Sequence, residues 1–225
     1  MKNLKTSFGK LKVSQSQKTK MVQNIFSNIT TKYDLMNNLM SLGSHHLWKK
    51  KLVQLMNIQS KDLIVEVGSG TGDIANLIHK NYSKTSIISV DLNFNMLKHG
   101  KQKIKNKPNT ISWVNCNAEN LPFKKNTFDK YIISFCLRNI THIDKALYEA
   151  IRVLKPGGSF YCLEFSTPMS PFINGMYKFY KSKIIPFIGE KITNNKKAYK
   201  YLDESISQFP NQDIFLSKLK QIGLE

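Results

Sequence analysis

Arginine is almost missing from this chain. It holds 34 Lys plus Arg, yet only Arg138 and Arg152 are Arg. Acids are also scarce, with 15 Asp plus Glu, so the formal net charge is +19. Such a charge raises the question of a nucleic-acid partner. Phosphate readers favour the bidentate fork of arginine, however. Lys, Asn and Ile are abundant together, a compositional drift that raises charge without a phosphate-binding purpose. No nucleic-acid partner is therefore read, and an anionic membrane surface suits diffuse lysine better. Cysteine is scarce too. Cys116, Cys136 and Cys162 are odd in number, far apart and without a CxxC pair, which excludes a disulfide framework and a zinc site. Two lie in apolar stretches and read as small buried hydrophobes. No apolar run is long enough to span a membrane and no signal-peptide pattern is present. The reading is a cytoplasmic protein whose length fits one α/β domain with a lid.

The chain is organised around residues 63–73, LIVEVGSGTGD. Leu63, Ile64, Val65 and Val67 form the short β-branched run of a strand buried on both faces. Gly68, Gly70 and Gly72 follow, then a helix-compatible segment. Strand, glycine turn, helix opens a nucleotide-binding α/β unit. The dinucleotide fingerprint wants its third glycine at position 73, which is Asp73. The third glycine is Gly72 instead, and Glu66 stands two residues before Gly68. A carboxylate there opposes a pyrophosphate and suits a ligand carrying an ammonium and a sulfonium. Residues 86–91, SIISVD, are a second apolar run ending in Asp91, placed to accept hydrogen bonds from ribose hydroxyls. That acid serves either nucleoside ligand, so it supports the nucleoside and not the choice.

The remaining elements follow in order. Residues 1–20 read as a flexible basic tail. Residues 21–56 read as a helical cap broken at Gly43, and Asn93–Lys105 as a helix capped by Asn93. Thr110–Val114 is the third strand. Asn117, just past it, suits an adenine rim because its amide both donates and accepts. Phe128–Ser134 is the fourth strand, and its following loop faces the ligand crevice at the switch point. A chain that uses Lys nearly everywhere keeps an Arg there, Arg138, where a planar fork has a purpose. A helix over Ile143–Leu154 ends at the turn Lys155–Pro156–Gly157–Gly158. Ser159–Phe165 is the fifth strand. Residues 168–202, aromatic and basic, read as an inserted lid for a greasy substrate or a bilayer interface. Asn211–Ile222 is a last amphipathic helix.

Taken together, YDLMNNLMSLGSHHLWK (33–49), EVGSGTGD (66–73), NAENLPF (117–123), ISFCLRNI (133–140), RVLKPGGSF (152–160) and LEFS (163–166) resemble the ubiquinone/menaquinone biosynthesis C-methyltransferase family. The resemblance runs from about Val22 to the end of the chain. It implies a doubly wound, Rossmann-like α/β sheet binding S-adenosyl-L-methionine (SAM), with no metal. Glu66, Gly68, Gly70, Thr71, Gly72, Asp91, Asn117, Ala118 and Ser134 would hold SAM. Tyr33, Arg138 and Asn139 would face the substrate, a polyprenyl quinol of the ubiquinone or menaquinone pathway. Other enzymes of quinone biosynthesis and the inner-membrane surface are the implied partners. Two departures stand out. The loop reads Gly68–Ser69–Gly70 where the family usually has Ala-Gly-Gly. The chain also stops at Glu225, before the final antiparallel hairpin the resemblance implies. The expectation is a five-stranded sheet whose apolar fifth strand is left as an edge, open to pairing with a second copy.

The implied chemistry is methyl transfer from a sulfonium to a ring carbon made electron-rich by loss of the quinol proton. Alignment of carbon, methyl and sulfur can contribute roughly 7–11 kcal/mol. Arg138 would stabilise the developing quinolate, while Asn139 or Tyr33 fixes a water as base. Arginine itself is a poor base at its usual pKa. From sequence alone two readings stand beside this one. One is a SAM methyltransferase with another substrate, although the Asn/Asp-Pro-Pro-aromatic motif of amino-methylating enzymes is missing after the fourth strand. The other is an inactive truncated subunit of a quinone-biosynthesis complex.

Overall fold

The computed structural model describes residues 5–104, 110–166, 175, 180 and 196–224. The chain divides into two units, one of residues up to His45 and from Phe165 to Gly223, the other of His46–Glu164.

The second unit carries the sheet. Its strands are β3 (Leu63–Val67), β4 (Ser86–Asp91), β5 (Ile111–Asn115), β6 (Phe128–Ser134) and β7 (Leu154–Leu163), in the order β5-β4-β3-β6-β7. All four pairings are parallel. The chain walks outward from β3 through β4 to β5, then crosses back to lay β6 on the other side of β3. The order therefore reverses between β3 and β6, and the crevice at their carboxyl ends is where such sheets bind ligands. Ile64, Val65 and Val67 are fully buried, as a central strand covered on both faces requires. Helices α4 (Asp73–Asn81), α5 (Phe94–Lys103) and α6 (Ile143–Val153) follow β3, β4 and β6. α4 turns Ile74, Ala75 and Ile78 onto the sheet, beside Val53 and Met56 of the α3 region (α3, His45–Leu55). Truncating Ile64 to Ala would cost about 2–5 kcal/mol.

The expected turn at Lys155–Gly158 is instead the opening of β7. The strand starts at Leu154, and the β6 register slips between Phe128 and Lys130. Gly157 takes φ +75°, and a Cβ on Gly158 would stand 2.9 Å from the Lys155 carbonyl oxygen. The turn residues are absorbed as a bulge in a paired strand.

The first unit corrects the reading of residues 1–20 as a flexible tail. β1 (Lys5–Phe8) and β2 (Leu11–Ser14) form an antiparallel hairpin, and α1 (Gln15–Ile29) begins at once. The cause is local and strong. Gly9 supplies φ +54° for the two-residue turn. Ser14 caps α1 through a reciprocal box with Gln17, which satisfies two helix-end donors. The hairpin is pinned to α7 (Lys196–Gln208): Phe8 stacks on Tyr201 at 4.3 Å, Lys10 N–H donates to Glu204, and Gln208 donates to the Gly9 carbonyl. The expected cap resolves into α1, a 3₁₀ turn at Thr30–Lys32, α2 (Tyr33–Ser41) and α3, with Leu42 and Gly43 both left-handed at the break. Most of the expected lid, 168–202, lies outside the described residues; Lys196–Leu202 open α7. Asn211 caps the last helix, α8 (Gln212–Gln221).

Candidate SAM site

The site grows from the glycine turn after β3. Gly68, Gly70 and Gly72 all have positive φ, between 55° and 74°. At Gly68 the reason is twofold, because a Cβ there would also stand 2.1 Å from Cys136 Sγ. Gly72 N–H donates to the Ser69 carbonyl at 2.9 Å, and Ser69 N–H reaches across to the Val90 carbonyl at 2.9 Å. Gly70 N–H donates to Asp91 Oδ2 at 2.8 Å, and Asn93 N–H to Asp91 Oδ1 at 2.7 Å. The predicted ribose acid therefore also ties the glycine turn to the end of β4. Desolvation pushes its carboxyl above the ordinary range, against these backbone N–H groups.

Ser69 Oγ, Thr71 Oγ1 and Ser134 Oγ are buried and have no hydrogen-bond partner among the described residues. An unpaired buried hydroxyl costs about 1–3 kcal/mol. Hydroxyls flanking a bare-backbone turn at the switch point fit a nucleoside with a polar tail, so the donor set suits SAM. Asn117 is partly committed: its Oδ1 accepts the Glu119 N–H at 2.9 Å, closing a local turn, which leaves the NH₂ as the freer end. Ala118 is half-buried beside it.

Glu66 behaves differently from the fixed carboxylate that its position implied. It is 2% exposed, accepts the Ala75 N–H at 3.0 Å and the Ser89 hydroxyl at 3.4 Å, and burial pushes its carboxyl up to about 8. Burial thus favours its protonated form, and its hydrogen bonds make it a buttress between β3, β4 and α4. Asp73 is the opposite. Burial opposes its charge, but Lys49 Nζ at 2.7 Å and Lys103 Nζ at 3.0 Å hold it at about 2.

At the end of β6, Phe135 has φ +54° and is buried. Its N–H donates to the Leu163 carbonyl at 2.7 Å. Its own carbonyl accepts from Arg138 Nη1 at 2.7 Å and Asn139 Nδ2 at 3.3 Å. Arg138 Nη1 also bonds Glu164 Oε1, with both side chains no more than 5% exposed, and Arg138 N–H reaches Glu164 Oε2 at 3.3 Å. The structure thus brings Arg138 and Asn139 together on one strained carbonyl. Tyr33 belongs to the other unit, where it opens α2 and meets the Phe26 ring edge-on at 6.1 Å. Glu164, Lys49 and Asp73 were not among the site residues expected from sequence. Lys49 pairs with Asp73 across 24 positions, Asp73 with Lys103 across 30 and Glu164 with Arg138 across 26, so no local pattern marks them.

Comparison with known proteins matches this geometry to a family. The chain is similar to solved methyltransferase-like structures: a SAM-dependent methyltransferase of Thermotoga maritima described as a possible histamine N-methyltransferase (TM-score 0.62, 19% identity, 91% of this chain and 81% of that one). A methyltransferase structure from Bacillus halodurans gives TM-score 0.59 at 21% identity over 78% of this chain and 68% of that one. At such identities the likeness shows the fold. Proteins named ubiquinone/menaquinone biosynthesis C-methyltransferase from Rickettsia massiliae and Rickettsia bellii are 47% and 46% identical over 227 residues, 98% of this chain and 91% of each relative. The ubiE/COQ5 methyltransferase family model matches residues 12–225, and the chain belongs to that family.

Proposed function

We propose that the chain transfers the methyl group of SAM to a ring carbon of a polyprenyl quinol, on the route to ubiquinone or menaquinone. The observation that carries this reading is the near-full-length identity to relatives of that name. SAM, when bound, supplies an electrophilic methyl on a sulfonium, to which the ring carbon bonds. Thr71, Asp91, Asn117, Ala118 and Ser134, with the bare backbone of Gly68, Gly70 and Gly72, would hold it, and Glu66 would buttress that turn.

The chain's own residues must align the ring and manage two protons, one from the quinol hydroxyl and one from the methylated carbon. Arg138 keeps its charge throughout and stabilises negative charge beside it. Glu164, its partner, is the member of the pair able to accept a proton, directly or through a water fixed by Asn139. Tyr33 is proposed as a substrate residue on the resemblance alone. The greasy substrate and the charge of +19 favour work at an anionic inner-membrane surface, alongside other quinone-biosynthesis enzymes. The apolar residues of β7, Phe160 to Leu163, favour a second copy as a further partner. The test is the quinone profile, by mass spectrometry, of a host lacking its quinone C-methyltransferase. Expression of this chain should restore the methylated quinone. A profile that keeps only the demethyl precursor, with the chain present and folded, overturns the reading.

A further inference from the structure

Lys49 is a buried cation that the proposed chemistry leaves unused. It is 5% exposed, and lysines are seldom so buried unless paired. Its ammonium donates to Asp73 Oδ2 at 2.7 Å and stands 5.9 Å from the centre of the Phe135 ring. Asp73 is its sole hydrogen-bond acceptor among the described residues, although an ammonium has three donors. Asp73 in turn accepts from Lys103 at its other oxygen. Two ammoniums thus surround one carboxylate at the start of α4, where the helix end adds further positive potential. Glu66 also feels the Lys49 charge, but burial raises its carboxyl and disfavours the anion. Lys49 shares its one carboxylate with a second ammonium and keeps unspent donors in a buried place, which is costly unless a further acceptor completes it.

Topology indicates which acceptor. Asp91 ends β4, and Asn117 follows β5, so the ribose and adenine of a nucleoside ligand occupy the β4–β5 side of the crevice. Its remaining end must lie toward β3 and β6. Lys49 stands there, between Asp73, just after the β3 turn, and Phe135, just after β6. In SAM that end bears an α-carboxylate. We propose that Lys49 binds the α-carboxylate of the methyl donor, with Asp73 holding the ammonium in place.

The inference rests on reading the chain as a SAM-binding protein, and the test separates the two. Calorimetry compares S-adenosylhomocysteine, which keeps the carboxylate, with 5′-methylthioadenosine, which lacks the amino-acid end. Wild type should prefer the former by about tenfold or more. Lys49→Met should lose most of that preference while its affinity for methylthioadenosine stays within about twofold. A variant that keeps the preference, or loses both ligands equally, overturns the inference. A measurement free of any variant is decarboxylated SAM on wild type, which should bind about tenfold more weakly than SAM; equal affinities also overturn it. Wild type that binds none of these nucleosides would instead overturn the SAM reading itself.

Discussion

The two arginines show how a rare residue reveals its task. Arg138 grips the Phe135 carbonyl and Glu164; Arg152 grips Glu149 and the carbonyls of Phe123 and Leu121. Both use the planar fork to fix a loop, Arg138 at the carboxyl end of β6 and Arg152 ahead of its start, which lysine's point charge does not do. Scarcity made Arg138 legible in the sequence, but its acid partner was not, because nothing local marks Glu164. The position of Glu66 before the glycine turn was legible, whereas the upward push on its carboxyl was not, since that depends on burial that only the fold supplies. It carries a pH signature. The unfolded carboxyl ionises near 4.5 and the folded one near 8, so stability falls as pH rises between those values. Glu66→Gln, which keeps an acceptor for Ala75 N–H, should flatten that slope by up to a few kcal/mol in urea titrations at pH 5 and pH 8. Asp73 runs the other way: its folded value is depressed, so its contribution is present above about 3.8 and lost as pH falls toward 2. Asp91→Ala should weaken SAM binding by roughly 1.5–3 kcal/mol, read by calorimetry. Part of that loss comes through the Gly70 N–H, which loses its acceptor.

At the scale of elements, the left-handed Phe135 is the costly feature. A non-glycine residue there stores about 1–3 kcal/mol of strain, and the Arg138–Glu164 pair holds it down. Arg138→Met should cost about 3–5 kcal/mol in denaturant titrations, because Glu164 is left buried without its partner. Arg138→Met combined with Glu164→Leu should cost clearly less than that, and the difference measures the coupling. Strand and helix identities around this turn were legible: β-branched runs, the glycine spacing and the Asn93 cap each have a local physical cause. The bulge at Lys155–Gly158 was not. Pro and Gly signal a turn by their own preferences, and only pairing with β6 shows that the chain stays extended through them.

For the molecule as a whole, the doubly wound sheet could be read from order alone, while the N-terminal hairpin could not. Lysines at 5, 10 and 12 mask a pattern whose stabilising contacts, Tyr201 and Glu204, come from nearly two hundred positions away. No helix among the described residues is long and apolar enough to cross a membrane. With charge +19 the chain should co-float with vesicles containing anionic lipid, not with neutral ones, and should be released as salt rises. The sequence holds just two tryptophans. Trp48 sits 6.4 Å from the Phe135 ring, and a Cβ on Gly72 would stand 2.4 Å from the Trp113 indole. Trp48 thus borders the residue that follows β6, and Trp113 borders the glycine turn after β3. Intrinsic fluorescence of the untagged protein should shift when SAM is added, and Trp113→Phe should remove the part of that signal that reports the glycine turn.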